Sequence, residues 1–509
     1  MLEQINEMWD SLLAVRPENA LKARYYDGKQ RVQDLKISLP PSMANLPAVV
    51  GWPAMVVDVL EERLDFEGWT DPAFDSLYQS NDLDVVSSMA HTDALIYGTS
   101  FLVVGTGDVG VGEPEVTVRS VSPNEMTAVR NPLTGLVESA VHFTDFDGFS
   151  PVAATLYGPD STVWAERVKG DWVAVGQDDH GLGAVPVVQL INKPRSSKAG
   201  GRSEITPAIR YYTDSGVRTL LGAEVAREFY AVPQRYMMGA PESFFLDEEG
   251  NPRGAWDAMM GKILAIERDE NGDVPEIGSF SAYSPSPFFE QLRSLSQMVS
   301  AEGGVPATYL GFTSDNPASG DGIRMSENRL VKRAERRQGQ FSRGWTEVAR
   351  LAALTSDTLS GNLRGAVESV RPMWRNPATP TQAATADATV KMIQTGVYPA
   401  QGDFVLKLLG LNVFDREMLK RDRANDISAV MKRLMEVEVS PEAAALAGPK
   451  ESAGQVTAEE EAKTLKAKAE AMGILIRAGV KPEAAALKSG IDGVEFMPGG
   501  PLTWRQQED

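Results

Sequence analysis

The chain has 509 residues, 42% hydrophobic and 24% charged, the composition of a folded soluble protein too long for one core, so length alone suggests about three domains. Its formal charge of −20 excludes tight, non-specific nucleic-acid binding by the surface as a whole. The lack of cysteine excludes disulfides and thiolate metal sites and suits a reducing compartment, while three histidines, His91, His142 and His180, are a thin inventory for a hydrolase or metalloenzyme.

Residues 1–30 are expected to be helical, because Ile5, Met8, Trp9, Leu12 and Leu13 recur at helical spacing. The opening MLEQINEMWDSLLAVRP carries acids where a secretory signal needs bases, and no apolar run reaches the roughly 18–20 residues that span a bilayer, so neither export nor a membrane is expected. Residues 45–67 predict a buried helix, with Asn45 as a cap and Pro53 kinking or restarting it. A third helix is expected over 81–98, with Leu83, Val86, Met89, Ala94 and Leu95 on its apolar face. From 100 to 192 the texture changes. FLVVG, EVTVRSV, SAVHFTDF, PVAATLYG, STVWAERV, DWVAVG and PVVQLIN predict a mostly antiparallel sheet with turns at GPDS and KGD.

Two helices with matching starts follow, 206–232 and 286–303, where Thr206 and Ser286 can cap and Pro207 and Pro287 suit the first turn. Pro233 stops the first, and Gly303 and Gly304 stop the second. Between them PQRYMMG and KILAIERD suggest strands of a small module on two helical legs. A long helix then continues through Trp345 to about Thr355. Beyond Pro377 the chain is alanine-rich and helical. VSPEAAALAG (439–448) is echoed by VKPEAAALKSG (480–490), and MIQTGVYP (392–399) by LIRAGVKP (475–482), too few copies for a solenoid. Residues 447–457 suggest a linker, with Thr457 and Glu460 as a capping box after it.

Two motifs are decoys. VVGTGDVG (103–110) has the glycine spacing of a dinucleotide fingerprint but is followed by a strand instead of a helix, which predicts a hairpin turn. GQDDHG (176–181) offers Asp178, Asp179 and His180, yet adjacent side chains point apart, which predicts a polar turn. No phosphate-cradling Gly-x-x-x-x-Gly-Lys-Ser/Thr sequence occurs, so no ATPase activity, catalytic residue, metal or cofactor is assigned.

The informative stretch is YLGFTSDNPASGDGIRMSENRLVKRAERRQGQF (309–341). Its loop, 311–322, is rich in glycine and small polar residues, and exceeds the 2–8 residues usual between helices. Its helix carries Arg329, Arg336, Arg343 and Arg350 every seven residues, broadened by Lys332, Arg333 and Arg337, with eight bases against three acids over 324–350. Such a stripe serves either as a solvated face balancing acids elsewhere, including a neighbouring subunit's, or as a contact for phosphates or an acidic partner.

Ordered landmarks resemble the portal proteins of long-tailed bacteriophages over most of residues 1–425. They are RYYDGKQ (24–30), MVVDVLEERLDFEGW (55–69), SNDLDVVSSMAHTDALIYGTSFLVVG (80–105), VPVVQLINKPR (185–195), EVAREFYAVPQRYMMG (224–239), GVPATYLGF (304–312) and NPASGDGIRMSENRLVKRAERRQGQF (316–341). The resemblance implies an α+β portal fold, mainly helical, with an antiparallel β-rich wing, a small α/β clip and a helical crown. It assigns 1–205 to the wing, 206–232 and 286–310 to the stem helices, and 233–285 to the clip. It assigns 311–322 to the tunnel loop, 323–376 to the long helix and its return, and 377–509 to the crown. It implies a non-enzymatic ring of about twelve subunits at one capsid vertex, assembled in the host cytoplasm, through which double-stranded DNA is packaged and ejected. The partners it implies are the terminase large subunit as motor ATPase, a head–tail adaptor, and major capsid and scaffolding proteins. The loop residues it places beside DNA are Phe312, Thr313, Ser314, Asp315, Asn316, Ser319 and Asp321. The basic residues it leaves for subunit contact or DNA are Arg324, Arg329, Arg333, Arg336, Arg343 and Arg350, with subunit contact preferred because arginine pairs carboxylates well at interfaces. A carboxylate-based hydrolase with a basic cleft and a filament scaffold without a channel are the alternatives.

Overall fold

Side chains that are β-branched or aromatic favour a pleated, half-buried surface, and the segments rich in them between 99 and 191 form strands. The computed structural model describes residues 2–30, 48–197, 200–230, 284–311, 320–356, 369–378, 382–399 and 402–409, with short pieces at 235–238, 250–251, 276–279, 411, 415–416, 418–422 and 468. The fold is α+β, and the chain divides into two units, residues 1–380 and 381–509.

In the first unit the helices are α1 (Leu2–Tyr26), α2 (Trp52–Glu61), α3 (Asp75–Ser80), α4 (Leu83–Tyr97), α5 (Pro207–Tyr230), α6 (Ser286–Gly303) and α7 (Gly320–Thr355). Its strands are β1 (Phe66–Trp69), β2 (Thr99–Thr106), β3 (Val116–Val121), β4 (Met126–Arg130), β5 (Val137–Asp147), β6 (Ser150–Tyr157), β7 (Thr162–Val168), β8 (Asp171–Asp178), β9 (Val187–Ile191), β10 (Arg235–Met238), β11 (Glu276–Ser279) and β12 (Pro372–Trp374). They form a three-stranded sheet, β3-β2-β9, a five-stranded meander, β4-β5-β6-β7-β8, and the pairs β1-β12 and β10-β11, all antiparallel.

The period-two alternation of a strand sorts the cores. In β2, Leu102 and Val104 face the central core with α4 and α7, while Phe101 and Val103 face a second core with Met126, Ala140 and Tyr157 of the meander. The meander's opposite face, Val141, Phe143, Leu156, Val163 and Trp172, is covered by Ile5, Met8 and Leu12 of α1. Trp9 packs edge-on against Phe143 at 5.0 Å, and the Trp172 indole donates to Asn6 at 3.1 Å.

Helices α5 and α6 are antiparallel partners. Thr206, at the start of α5, bonds Glu302, at the end of α6, at 3.1 Å, and Phe288 at the start of α6 lies against Gly222 late in α5. The chain between 231 and 283 therefore leaves and returns at the far end of this pair, and β10 and β11 pair within it. KILAIERD lies outside the described residues.

Several boundaries differ from expectation. The helix expected over 45–67 starts only at Trp52, with Pro53 in its first turn where a missing N–H costs nothing. Phe66–Trp69 is a strand, because its aromatic residues pair across to β12; Asn45 lies outside the described residues. Strand β4 was not anticipated. Thr206 caps α5 by accepting from the Ile209 N–H at 3.3 Å, but Ser286 does not cap α6; its own N–H is bonded by the Ser284 hydroxyl at 3.3 Å. Gly304 ends α6 in the left-handed region at φ 65°. GPDS and KGD are turns as expected, the latter with Lys169 and Gly170 at φ 53° and 101°. Gly-x-Gly-x-x-Gly joins β2 to β3 as a hairpin turn, and GQDDHG ends β8 in a polar turn where Gln177 bonds Asp179 at 2.6 Å.

In the second unit, α8 (Gln382–Gln394) ends in MIQTGVYP. Gly396 is left-handed at φ 74°, and the Val397 N–H returns to the Met392 carbonyl at 3.0 Å, which closes the helix end. A further helix, α9, spans Asp403–Leu408. The echo at 475–482, the pair 439–448 and 480–490, the linker and Thr457–Glu460 lie outside the described residues.

Candidate functional site

Helix α7 has 36 residues, about 54 Å at 1.5 Å per residue. Its apolar side, including Leu330, Ala334, Phe341, Trp345, Ala349 and Ala352, is fully buried. Gly344 admits strand β9: a Cβ there would stand 2.3 Å from Leu190 Cδ2. Trp345 stacks on Phe66 at 4.2 Å and receives the Trp69 indole N–H on its carbonyl at 2.9 Å. Its own indole donates to His91 Nε2 at 3.0 Å, and the imidazole lies parallel to Phe341 at 5.0 Å. Burial pushes the His91 pKa down to about 3, so the ring is neutral, with its proton on Nδ1.

The helix begins at Gly320, three residues earlier than expected. Of the loop residues, Phe312, Thr313, Ser314, Asp315, Asn316 and Ser319 lie outside the described residues, and Asp321 falls within the first turn of α7. The loop's two feet are described. Tyr309, in the short turn Ala307–Leu310, donates its hydroxyl to Glu327 on α7 at 2.5 Å. Arg63 donates to the same hydroxyl at 3.2 Å and to the Pro377 carbonyl at 2.8 Å, and stands 3.6 Å from Glu327. Burial and the Glu327 hydrogen bond push the Tyr309 pKa up. Chain entering and leaving 312–319 is thus pinned to α2's end by one three-residue clamp.

The basic stripe divides by where each side chain ends. Arg333 and Arg337 turn inward to Glu204, whose side chain is only 1% exposed. Arg333 reaches Oε2 at 2.5 Å and Arg337 reaches Oε1 at 2.7 Å, while Lys193 also bonds Oε2 and the Asn192 amide bonds Oε1 at 3.1 Å. Burial alone would raise the Glu204 carboxyl, but Arg333, Lys193 and Arg337 outweigh it and hold the pKa down to about 2. Arg333 therefore serves the interior of its own chain, although it was grouped with the exposed bases.

Arg329 caps α6 by donating to the Ala301 carbonyl, one of the acceptors a helix C-terminus leaves open. Arg350 grips Glu347 three residues back, with contacts of 2.6–3.1 Å. Arg343 is exposed and donates to the Thr134 carbonyl. Arg324 is exposed near the loop, and Arg336 is exposed with no ion pair among the described residues. The sequence-based reading missed Glu204, Lys193, Arg63, Tyr309 and Glu327. All of these but Glu204 lie within the landmark strings, but nothing in their spacing marked them as partners.

No group of metal-ligating side chains and no helix long and apolar enough to cross a membrane occurs among the described residues. A family model described as phage portal protein, SPP1 Gp6-like, matches residues 6–402. The portal protein of Mycobacterium phage D29 is 35% identical over 410 residues, 78% of this chain and 83% of that one. That of Mycobacterium phage L5 is 34% identical over 415 residues, 79% and 84% of the two chains. Among solved structures, a chain in the virion of a native gene transfer agent particle aligns with TM-score 0.41 at 16% identity, over 78% of this chain and 94% of its own. A chain from the neck of that particle, computed with C12 symmetry, aligns with TM-score 0.40 at 16% identity, over 71% and 90%. The sequence matches run through the sheets, the antiparallel helix pair, the clamped loop and the long helix together, and the chain belongs to the SPP1-like family of phage portal proteins.

Proposed function

We propose that about twelve copies of this chain close into a ring at one capsid vertex of a phage virion and form the channel through which double-stranded DNA is packaged and ejected. The observation that carries this reading is the match to two phage portal proteins at 34–35% identity over nearly four-fifths of the chain. Residues 1–205 form the wing, and 206–232 and 286–310 the stem. Residues 233–285 form the clip, which docks the terminase large subunit and later the head–tail adaptor. Residues 323–376 form the long helix and its return, and 377–509 the crown inside the capsid, near the major capsid and scaffolding proteins. Assembly takes place in the host cytoplasm.

Residues 311–322 form the tunnel loop beside DNA, and the Tyr309–Glu327–Arg63 clamp supports this by fixing its feet on the body of the subunit. The subunit performs no catalysis, and a separate motor ATPase supplies the energy. Twelve copies would carry roughly −240, a field that repels a polyanion and lets it slide. Of the exposed bases, Arg336 and Arg343 face neighbouring subunits and Arg324 lies at the loop's root. Native mass spectrometry and negative-stain imaging of the purified chain test the reading. Radially symmetric particles with a central hole are expected, and a stable monomer under all assembly conditions overturns it.

A further inference from the structure

Beside the long helix, the turn Asn131–Leu136 between β4 and β5 gathers two guanidinium groups without a carboxylate. Arg130 donates from Nε and Nη2 to the Gly135 carbonyl at 3.0 and 2.5 Å, and Arg343 donates to the Thr134 carbonyl. They converge on one point: a Cβ added to Gly135 would stand 3.0 Å from Arg343 Nη2 and 3.1 Å from Arg130 Nη2. Neither arginine has an acidic partner within ion-pair distance among the described residues. The two nearby acids are engaged elsewhere, Glu347 with Arg350 at 2.6 Å and Glu138 with the Asn131 amide at 2.8 Å. Burial and the charge of Arg343 both push the Arg130 pKa down, the signature of two cations held close without compensation.

The pair borders a recess of about 770 Å³ with apolar walls that include Leu136, Val185 and Leu190. Leu136, which lines it, is 41% exposed, and Leu133 in the same turn is 94% exposed. Exposed leucines flanking arginines are the composition of a protein interface, where arginine is enriched and apolar side chains form the buried centre. Carbonyls already hold one edge of each guanidinium, which fixes the pair in place and leaves its charge to be matched from outside.

We propose that Arg130 and Arg343 form a receptor for a carboxylate presented by a second copy of this chain, with Leu133 and Leu136 packing around that contact. Three observations select this occupant. With 70 acidic residues against 50 basic ones, each copy offers its neighbour many carboxylates. The same imbalance repels a nucleic acid. The recess sets apolar side chains, Leu136, Val185 and Leu190 among them, beside Arg130, Arg343 and Arg350, a mixed wall that matches a protein segment carrying a carboxylate better than a phosphate backbone. The inference rests on the ring assembly proposed above and names one of its contacts.

The test uses the full chain and begins with the assembly of the parent. Arg343→Glu and Arg130→Glu are expected to raise the protein concentration needed for ring formation at least tenfold, while circular dichroism and thermal unfolding of the unassembled chain stay near those of the parent. Arg343→Lys, which keeps the positive charge at this exposed position, is then treated with a carbodiimide in rings mixed from heavy- and light-nitrogen chains. An amide link between position 343 and an aspartate or glutamate of the other isotope is expected. Parent rings that form while both Glu variants assemble as readily overturn this inference and leave the ring intact. Links only to Glu138 or Glu347 of the same chain overturn it also. Normal rings that lose affinity for duplex DNA in Arg343→Glu assign the pair to phosphate instead. A parent that never assembles removes both readings.

Discussion

Two buried side chains, His91 and Glu204, add to the acid sensitivity of the fold, and they titrate in different windows. His91 accepts the Trp345 N–H as a neutral ring, and its pKa is lowered from 6.5 to about 3. The unfolded chain therefore binds this proton first, so stability is complete above pH 6.5 and falls as pH drops towards 3, at about 1.4 kcal/mol per unit. Glu204, held at about 2 against an ordinary 4.5, gives stability that is present above pH 4.5 and lost towards 2. Between pH 6.5 and 4.5 only His91 of these two weakens the fold as pH falls. Asp93 acts in the opposite sense there, because burial raises its pKa to about 6. The difference between parent and His91→Gln, whose amide oxygen can still accept the indole, isolates the histidine. Denaturant unfolding at stepped pH should show the variant losing less stability than the parent across that window, and parallel curves would mean that His91 is charged in the folded chain. Glu204→Gln removes the counter-charge from three cations and should destabilise by about 3–5 kcal/mol at neutral pH, measured the same way.

Elements with a strong period were legible in the sequence: α1, α4, α5, α6, the body of α7 and most strands of the meander. Their apolar residues repeat at 3.6 or 2, and that periodicity is what a core imposes. Short Phe66–Trp69 was not legible, since its strand character comes from a partner 300 residues later in β12. The site was legible as a stripe but not as a division of labour. Seven-residue spacing puts Arg329, Arg336, Arg343 and Arg350 on one face, yet only the distant Glu204 draws Arg333 and Arg337 inward, and only Ala301 and Thr134 decide where Arg329 and Arg343 end. Two glycines of α7 carry the same lesson with opposite signs. Gly339 is exposed and nothing lies within 4 Å of an added Cβ, so Gly339→Ala should stabilise by up to about 1 kcal/mol through helix propensity. Gly344 faces Leu190, which is 1% exposed, so Gly344→Ala must displace a packed side chain and should cost about 1–3 kcal/mol. Thermal unfolding of the two variants should move in opposite directions, and a shared upward shift would show that β9 yields to the helix.

At the scale of the assembly, the question is how an acidic ring handles an acidic cargo. No lysine, arginine or histidine occurs between Ser294 and Ile323, a stretch that holds the end of α6, the clamp residue Tyr309 and the whole proposed tunnel loop. The bases resume at Arg324 and crowd the helix behind it, where Arg329, Arg333, Arg337, Arg343 and Arg350 are each tied to a carbonyl or carboxylate of their own chain. Arg333 and Arg337 are thus neutralised inside the subunit, Arg336 and Arg343 are left to the subunit contacts argued above, and the loop's own sequence holds only neutral and acidic groups. If sliding depends on that, adding bases must harm transport without harming assembly. Thr313→Lys combined with Asn316→Lys gives every copy two new phosphate ligands. Each phosphate contact that forms steepens the salt dependence of DNA binding by a slope of about 0.9 in log K against log salt and must be broken at every step of translocation. Rings of the double variant should form as the parent's do, bind duplex DNA with a new salt dependence, and fill capsids more slowly in a packaging assay. Filling at the parental rate together with salt-dependent binding would show that grip and sliding are independent; no change in either would place the loop away from DNA.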